Sequence, residues 1–181
     1  MSESAAELLP EAPPALRRVP APLLHLTLAF IGNVPAERRE GIAAALEEPA
    51  RRSAAIDLEL SGLGAFPASG PPQIAWVRAR TGGPGDPLGA LAADVRDALA
   101  KADVPFDPKP FRPHVTLARA RKDVTAADAG RIRRLLAQEV PRLTFRADAI
   151  SLVESRLSPM GPSYTTLASL PLGATPGTRT S

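Results

Sequence analysis

The chain has 181 residues, 44% of them hydrophobic and 23% charged, with a net charge of +3; this suits one compact domain or two small lobes and argues against wholesale disorder. It has no cysteine, which excludes disulfides, thiolate catalysis and sulfur-ligated metals and fits a cytoplasmic protein. No apolar run approaches the ~20 residues that span a bilayer, and the acidic, proline-bearing start MSESAAELLPEAPP lacks the parts of a signal peptide.

Residues 1–22 carry five prolines and no clean periodicity, and read as a poorly ordered lead-in with one helical turn over Pro14–Arg18. Leu23–Ile31 reads as a strand. Gly32-Asn33 turns the chain, and Pro35 opens an amphipathic helix to about Glu48 with Ile42, Ala45 and Leu46 on one face. Ala54–Leu63 alternates with period two, as a half-buried strand does. Gly64–Pro72 is expected to be a loop and Gln73–Arg80 a strand. Thr81–Pro87, with three glycines and two prolines, is the strongest break. Asp86–Ala102 carries Leu88, Leu91, Val95 and Leu99 at helical spacing. Arg112–Ala118 reads as a strand and Thr125–Val140 as a helix. Arg142–Leu157 reads as one long strand bent midway, Ser158–Pro162 as a turn and Ser163–Pro171 as the last strand.

Two stretches repeat. His25-Leu26-Thr27-Leu28-Ala29 and His114-Val115-Thr116-Leu117-Ala118 share one pattern, and each opens on one of the chain's two histidines. The histidines are 89 residues apart, and at that offset four elements coincide, so each half reads strand, helix, strand, strand. The organisation expected is a single bilobal domain over 23–172, with repeat halves of about 23–81 and 112–171. Helix 86–102 would lie between them, and 173–181 would be a tail. In a strand, alternate side chains share a face. His25 and Thr27 therefore point one way and Leu24, Leu26 and Leu28 the other; His114 and Thr116 likewise oppose Val115 and Leu117.

Two imidazoles on one substrate suit general acid–base catalysis, because an ordinary imidazole titrates near ~6.5 and both protonation states are populated at neutral pH. The hydroxyls two residues on can donate to phosphoryl oxygens. Nineteen of the 22 basic residues are arginine, whose fork grips phosphate, although a GC-rich genome gives the same bias. A histidine that is merely a satisfied surface or core residue is the bland reading, and here it would have to hold twice in one pattern. Two histidines without an acidic cluster fall short of a zinc site, so no metal or other cofactor is expected. Neither Gly82-Gly83 nor Gly62-Leu63-Gly64 is followed by the Lys-Ser/Thr of a phosphate-cradling loop.

With these motifs the chain resembles the two-histidine phosphoesterase superfamily, and within it the LigT-like RNA 2′,3′-cyclic phosphodiesterases, also described as 2′–5′ RNA ligases. HLTLAFIG, GLGAFP at Gly62–Pro67, PFRPHVTLAR at Pro110–Arg119 and SLVESRLSPMGPSYTTLASLPL carry the resemblance, from about Val19 to Leu172. Residues 1–22 show no equivalent of the apolar strand and helix with which such proteins begin, so a first lobe one strand short, or a truncated start, is expected. The resemblance implies an α+β fold: a bilobal, pseudo-two-fold duplication with two antiparallel sheets, outer helices and a V-shaped central cleft. It also implies hydrolysis of a terminal 2′,3′-cyclic phosphate to a 2′-phosphomonoester. RNA ends or small cyclic-phosphate nucleotides are the expected partners, and the protein is expected to be a monomer that engages no membrane.

On that reading His25 is the acid for the departing 3′ oxygen and His114 the base for water, although the symmetry makes the roles interchangeable. Thr27 and Thr116 would hold the non-bridging oxygens. Arg119 occupies the family's basic position, but strict alternation turns it toward Val115 and Leu117 unless the strand ends or bulges there. Arg112 has the right parity and is the reserve. Phe30 and Phe111 are the candidates for base stacking, with Phe66 in a loop and Tyr164 on a strand as further aromatics; Trp76 and Phe145 are assigned to the core. The competing readings are a nucleotide- or RNA-binding module without useful turnover, a cyclic phosphodiesterase for a small nucleotide, and a 2′–5′ RNA ligase working by reversal. A binder could dispense with an imidazole, so two complete motifs favour the enzyme.

Overall fold

Period-two alternation becomes a five-stranded sheet in the computed structural model, which describes residues 7–9, 12–158 and 161–173. Its strands are β1 (Leu16–Arg18), β2 (Ile56–Phe66), β3 (Ile74–Thr81), β4 (His114–Ala120) and β5 (Leu143–Ala147). They lie in the order β1-β4-β3-β2-β5, with β1–β4, β4–β3 and β3–β2 antiparallel. β6 (Ala149–Ser158) and β7 (Gly161–Pro171) form a separate antiparallel pair. With α1 (Arg39–Arg52), α2 (Pro87–Lys101) and α3 (Ala126–Leu136), the class is α+β.

The chain divides into two compact units, one of Met1–Thr27, Leu58–Gly82 and Pro113–Phe145, the other of Leu28–Asp57, Gly83–Arg112 and Arg146–Ser181. In the first, one face of the sheet supplies Leu60, Ala75, Val77, Ala79, Val115, Leu117 and Ala118 to a core completed by Ile132 and Leu135 of α3. Each fully buried Leu, Ile or Val side chain there stabilises by about 1.5–3 kcal/mol. In the second unit α1 and α2 bury Ile42, Leu46, Leu88, Leu91, Val95 and Leu99, and the β6–β7 pair adds Ile150 and Leu152. The C-terminal carbonyls of α2 are closed by Arg38, whose Nη2 donates to Ala102 O at 2.8 Å and Asp103 O at 3.1 Å.

Several elements differ from expectation for identifiable reasons. The described part of the lead-in is core: Leu8 and Leu9 are buried, and Leu16–Arg18 is an edge strand rather than a helical turn. Leu23–Ile31 makes no ladder: Leu23 closes a 3₁₀ turn, the chain bends at Leu28, and one isolated antiparallel bridge joins Leu26 to Val115. β2 runs on to Phe66, taking the first three residues of the loop expected over Gly64–Pro72, past a bulge absorbed by Gly62 at φ 71°. α1 continues past Glu48 to Arg52, with Pro49 and Ala50 buried in its last turn. The long strand over 142–157 is cut at Asp148 into β5 and β6, which join different sheets. Residues 1–6 and 10–11 of the lead-in, 159–160 of the expected turn and 174–181 of the tail lie outside the described residues.

α3 starts at a reciprocal cap. Asp128 N–H donates to Thr125 Oγ1 at 3.1 Å, while Thr125 N–H and Oγ1 donate to Asp128 Oδ2 at 3.2 and 2.6 Å. The Thr125 side-chain bond first, and its backbone bond next, hold the Asp128 carboxyl below its ordinary value. A lowered folded-state value gives stability that is present above the unfolded value of about 3.9 and is lost as pH falls through the folded one. Asp128→Asn should therefore lower the melting temperature at pH 7, and the gap to the parent should close as the pH is taken below ~4; a gap equally wide at pH 7 and pH 2.5 would contradict the assignment.

Candidate functional site

The candidate face is the side of the larger sheet turned away from the core. On β4, Val115 and Leu117 are buried while His114 and Thr116 are half-buried on the opposite face. The bridge from Leu26 brings the first motif against this strand. Leu26 and Val115 are equivalent positions of the 89-residue repeat, so like is paired with like about a local two-fold. Antiparallel register then sets His25 across from Thr116 and Thr27 across from His114. Continued one residue to each side, that register puts the two histidines diagonally across the bridge. Four groups that can hold or protonate an anion thus share one patch of sheet.

The sequence also fixes each imidazole. The 3₁₀ turn Ala21–Leu23 directs the Leu23 carbonyl at His25, which is exposed and donates from Nδ1 to Leu23 O at 2.8 Å. That bond selects the Nδ1–H tautomer in the neutral ring, so Nε2 carries the lone pair. His114 is held by rings. Phe66 meets it edge-on at 5.1 Å and 81°, Trp76 lies 6.2 Å away, and Phe66 and Trp76 are 5.3 Å apart. Gly64 and Trp76 are cross-strand partners, and a Cβ on Gly64 would fall 2.2 Å from Trp76 Cη2. Only glycine lets the indole lie over β2 beside His114.

Arg119 reaches this face through a bulge. Ala75 pairs with Ala118 and Trp76 with Thr116, so Leu117 is the extra residue, and Leu117 and Ala118 are buried in succession. The parity beyond the bulge is reversed, which turns the exposed Arg119 to the side of His114 and Thr116. Arg112 precedes β4 instead of lying on it and belongs to the second unit, as do Phe30, which is 64% exposed, and the half-buried Phe111. Trp76, expected in the core, stands on the functional face instead; Phe145 packs against the core as expected. Arg78 and Arg80, alternating with buried Val77 and Ala79, were the signal that Trp76 points outward. Phe66 sits at the end of β2, not in a loop. Among the described residues no group of three or more metal-ligating side chains gathers, and no helix is long and apolar enough to cross a membrane.

Comparison with known proteins agrees with the motifs. The family model described as the 2′-5′ RNA ligase superfamily matches residues 5–158. An RNA 2′,3′-cyclic phosphodiesterase of Thermus thermophilus is 36% identical over 151 residues, which are 82% of this chain and 72% of the relative. One from Geobacillus stearothermophilus is 31% identical over 86% of this chain, a match that spans 48% of that longer relative. The crystal structure of Escherichia coli LigT complexed with 3′-AMP superposes with a TM-score of 0.71 at 25% identity, covering 94% of this chain and 92% of that one.

Gly64→Ala tests the ring stack. The added methyl must displace the indole, so a loss of about 1–3 kcal/mol is expected, with altered emission from the chain's single tryptophan and a shifted His114 ring resonance. Unchanged emission and unchanged stability would show that the close approach does not position His114.

Proposed function

The chain belongs to the 2′-5′ RNA ligase superfamily, and from that membership we propose that it hydrolyses terminal 2′,3′-cyclic phosphates of RNA to 2′-phosphomonoesters, with residues 23–172 as one phosphodiesterase domain of the cytoplasm. The observation that carries the proposal is the Leu26–Val115 bridge; its antiparallel register, continued one residue to each side, supports a site in which His25 and His114 lie diagonally with a threonine across from each. The names of the relatives, RNA 2′,3′-cyclic phosphodiesterase, support the same substrate.

In the proposed reaction the cyclic phosphate lies over the bridge, with Thr27 and Thr116 donating to its non-bridging oxygens. His114 takes a proton from water as the water oxygen bonds to phosphorus. The bond from phosphorus to the ribose 3′ oxygen breaks in line, and His25 gives that oxygen a proton from Nε2. The phosphate stays on the 2′ oxygen. The Leu23 carbonyl steadies the imidazolium of His25 through Nδ1, and the Phe66 and Trp76 rings keep the His114 ring from turning out of line. Arg119 offsets the charge of the phosphorane-like transition state. Metal is not required, since each proton transfer has its own side chain.

The test is an oligonucleotide ending in a 2′,3′-cyclic phosphate, incubated in EDTA with products mapped. Turnover should persist and yield the 2′-phosphate. His25→Ala and His114→Ala should each lower kcat by about 10²–10⁴. Loss of activity in EDTA, a 3′-phosphate product, or tight binding with no turnover would contradict the proposal.

A further inference from the structure

Two arginines face each other on the functional side of the sheet. Arg17 of β1 and Arg119 of β4 are direct cross-strand partners, both exposed, and both lie opposite the core-facing pair Leu16 and Ala120. Like charges directly across a sheet destabilise it. Several arginines elsewhere meet an acid: Arg39 and Arg156 meet Glu154, Arg142 meets Glu59, and Arg146 meets Asp57. Among the described residues, Arg17 and Arg119 have no carboxylate partner. The fold therefore keeps two like charges side by side across β1 and β4, the latter the strand that carries His114 and Thr116, and a bound anion would relieve their repulsion.

We propose that Arg17 is a phosphodiester subsite: it holds the internal phosphate on the 5′ side of the terminal ribose, so that the enzyme selects RNA ends over mononucleoside cyclic phosphates. The inference rests on the reaction proposed above and adds its substrate class. The bulge at Leu117 takes up one of the three residues from Thr116 to Arg119; these two pair with Trp76 and Ile74, two steps or about 7 Å apart at ~3.3 Å per residue, and Arg17 sits beside Arg119 toward the sheet's edge. That offset leaves the motif residues to the terminal phosphate and puts the outer arginine one phosphate further along the backbone. A guanidinium fork suits the two non-bridging oxygens of a phosphodiester, where a lysine would offer only a point charge. Continuity with an anion-binding face favours nucleic acid over an acidic protein.

The experiment compares a dinucleotide ending in a 2′,3′-cyclic phosphate with the corresponding mononucleoside cyclic phosphate. Arg17→Ala should lower kcat/KM for the dinucleotide about tenfold, through KM, and leave the mononucleoside unchanged. Arg17→Lys should recover part of the loss, and the melting temperature should hold or rise as the like-charge contact is removed. A parallel binding titration uses the dinucleotide 2′-phosphate and the nucleoside 2′-phosphate, so the subsite is judged even if nothing is turned over. A parent protein that binds but hydrolyses neither substrate overturns the reaction and not the subsite. Equal losses on both ligands, no loss on either, or a parent with no preference for the dinucleotide overturns the subsite.

Discussion

A single antiparallel bridge, Leu26 to Val115, is the constraint on which the rest of the site depends. It joins equivalent positions of a duplicated motif, so each imidazole is set against the other motif's hydroxyl with no further specification. The bridge has little strength of its own. What holds it is burial: Val115 is fully inside the core, Leu24 is 6% exposed, and Leu26 packs against the same cluster. A one-residue slip would turn His25 and Thr27 into the core and Leu26 outward. The hydrophobic effect therefore enforces the register, and the register places the chemistry.

Two local irregularities complete the face. The bulge at Leu117 reverses the parity of β4 and brings Arg119 to the side of His114. The bulge at Gly62 carries β2 on, so that Gly64 and Phe66 reach Trp76 and the second imidazole. Each costs a ladder hydrogen bond and a regular pleat, and each re-aims one group that a regular strand would turn away. The ring cluster of Phe66, Trp76 and His114 limits the ring orientations open to His114.

Much of this was legible from parity and repetition. The His-x-Thr faces, the apolar backs of both motifs and the helices over 87–101 and 126–136 follow from periods of two and 3.6, because local alternation and burial agree there. What did not follow came from long-range pairing. Leu16–Arg18 is a strand only because β4 lies beside it, and the proline-rich run around it hides that. The 89-residue offset was visible, but its use was not: shifted by 89, Leu58–Gly82 falls within the second unit and most of Pro113–Phe145 within Leu28–Asp57, so each compact unit draws segments from both copies. The break at Asp148 has no breaker residue to announce it, since its cause is the choice of two different sheets by adjacent stretches. No local pattern marks Arg17, because the residue that an edge strand faces is set by the strand beside it.

The central claim is that both histidines address one anion. The chain has only two, so their ring signals can be assigned by His25→Ala and His114→Ala and followed by NMR during a titration with a nucleoside 2′-phosphate. Both rings should shift along one shared isotherm, and removal of either histidine should weaken the response of the other. A response from one ring alone, or two rings saturating at different ligand concentrations, would mean that the two motifs do not form one site.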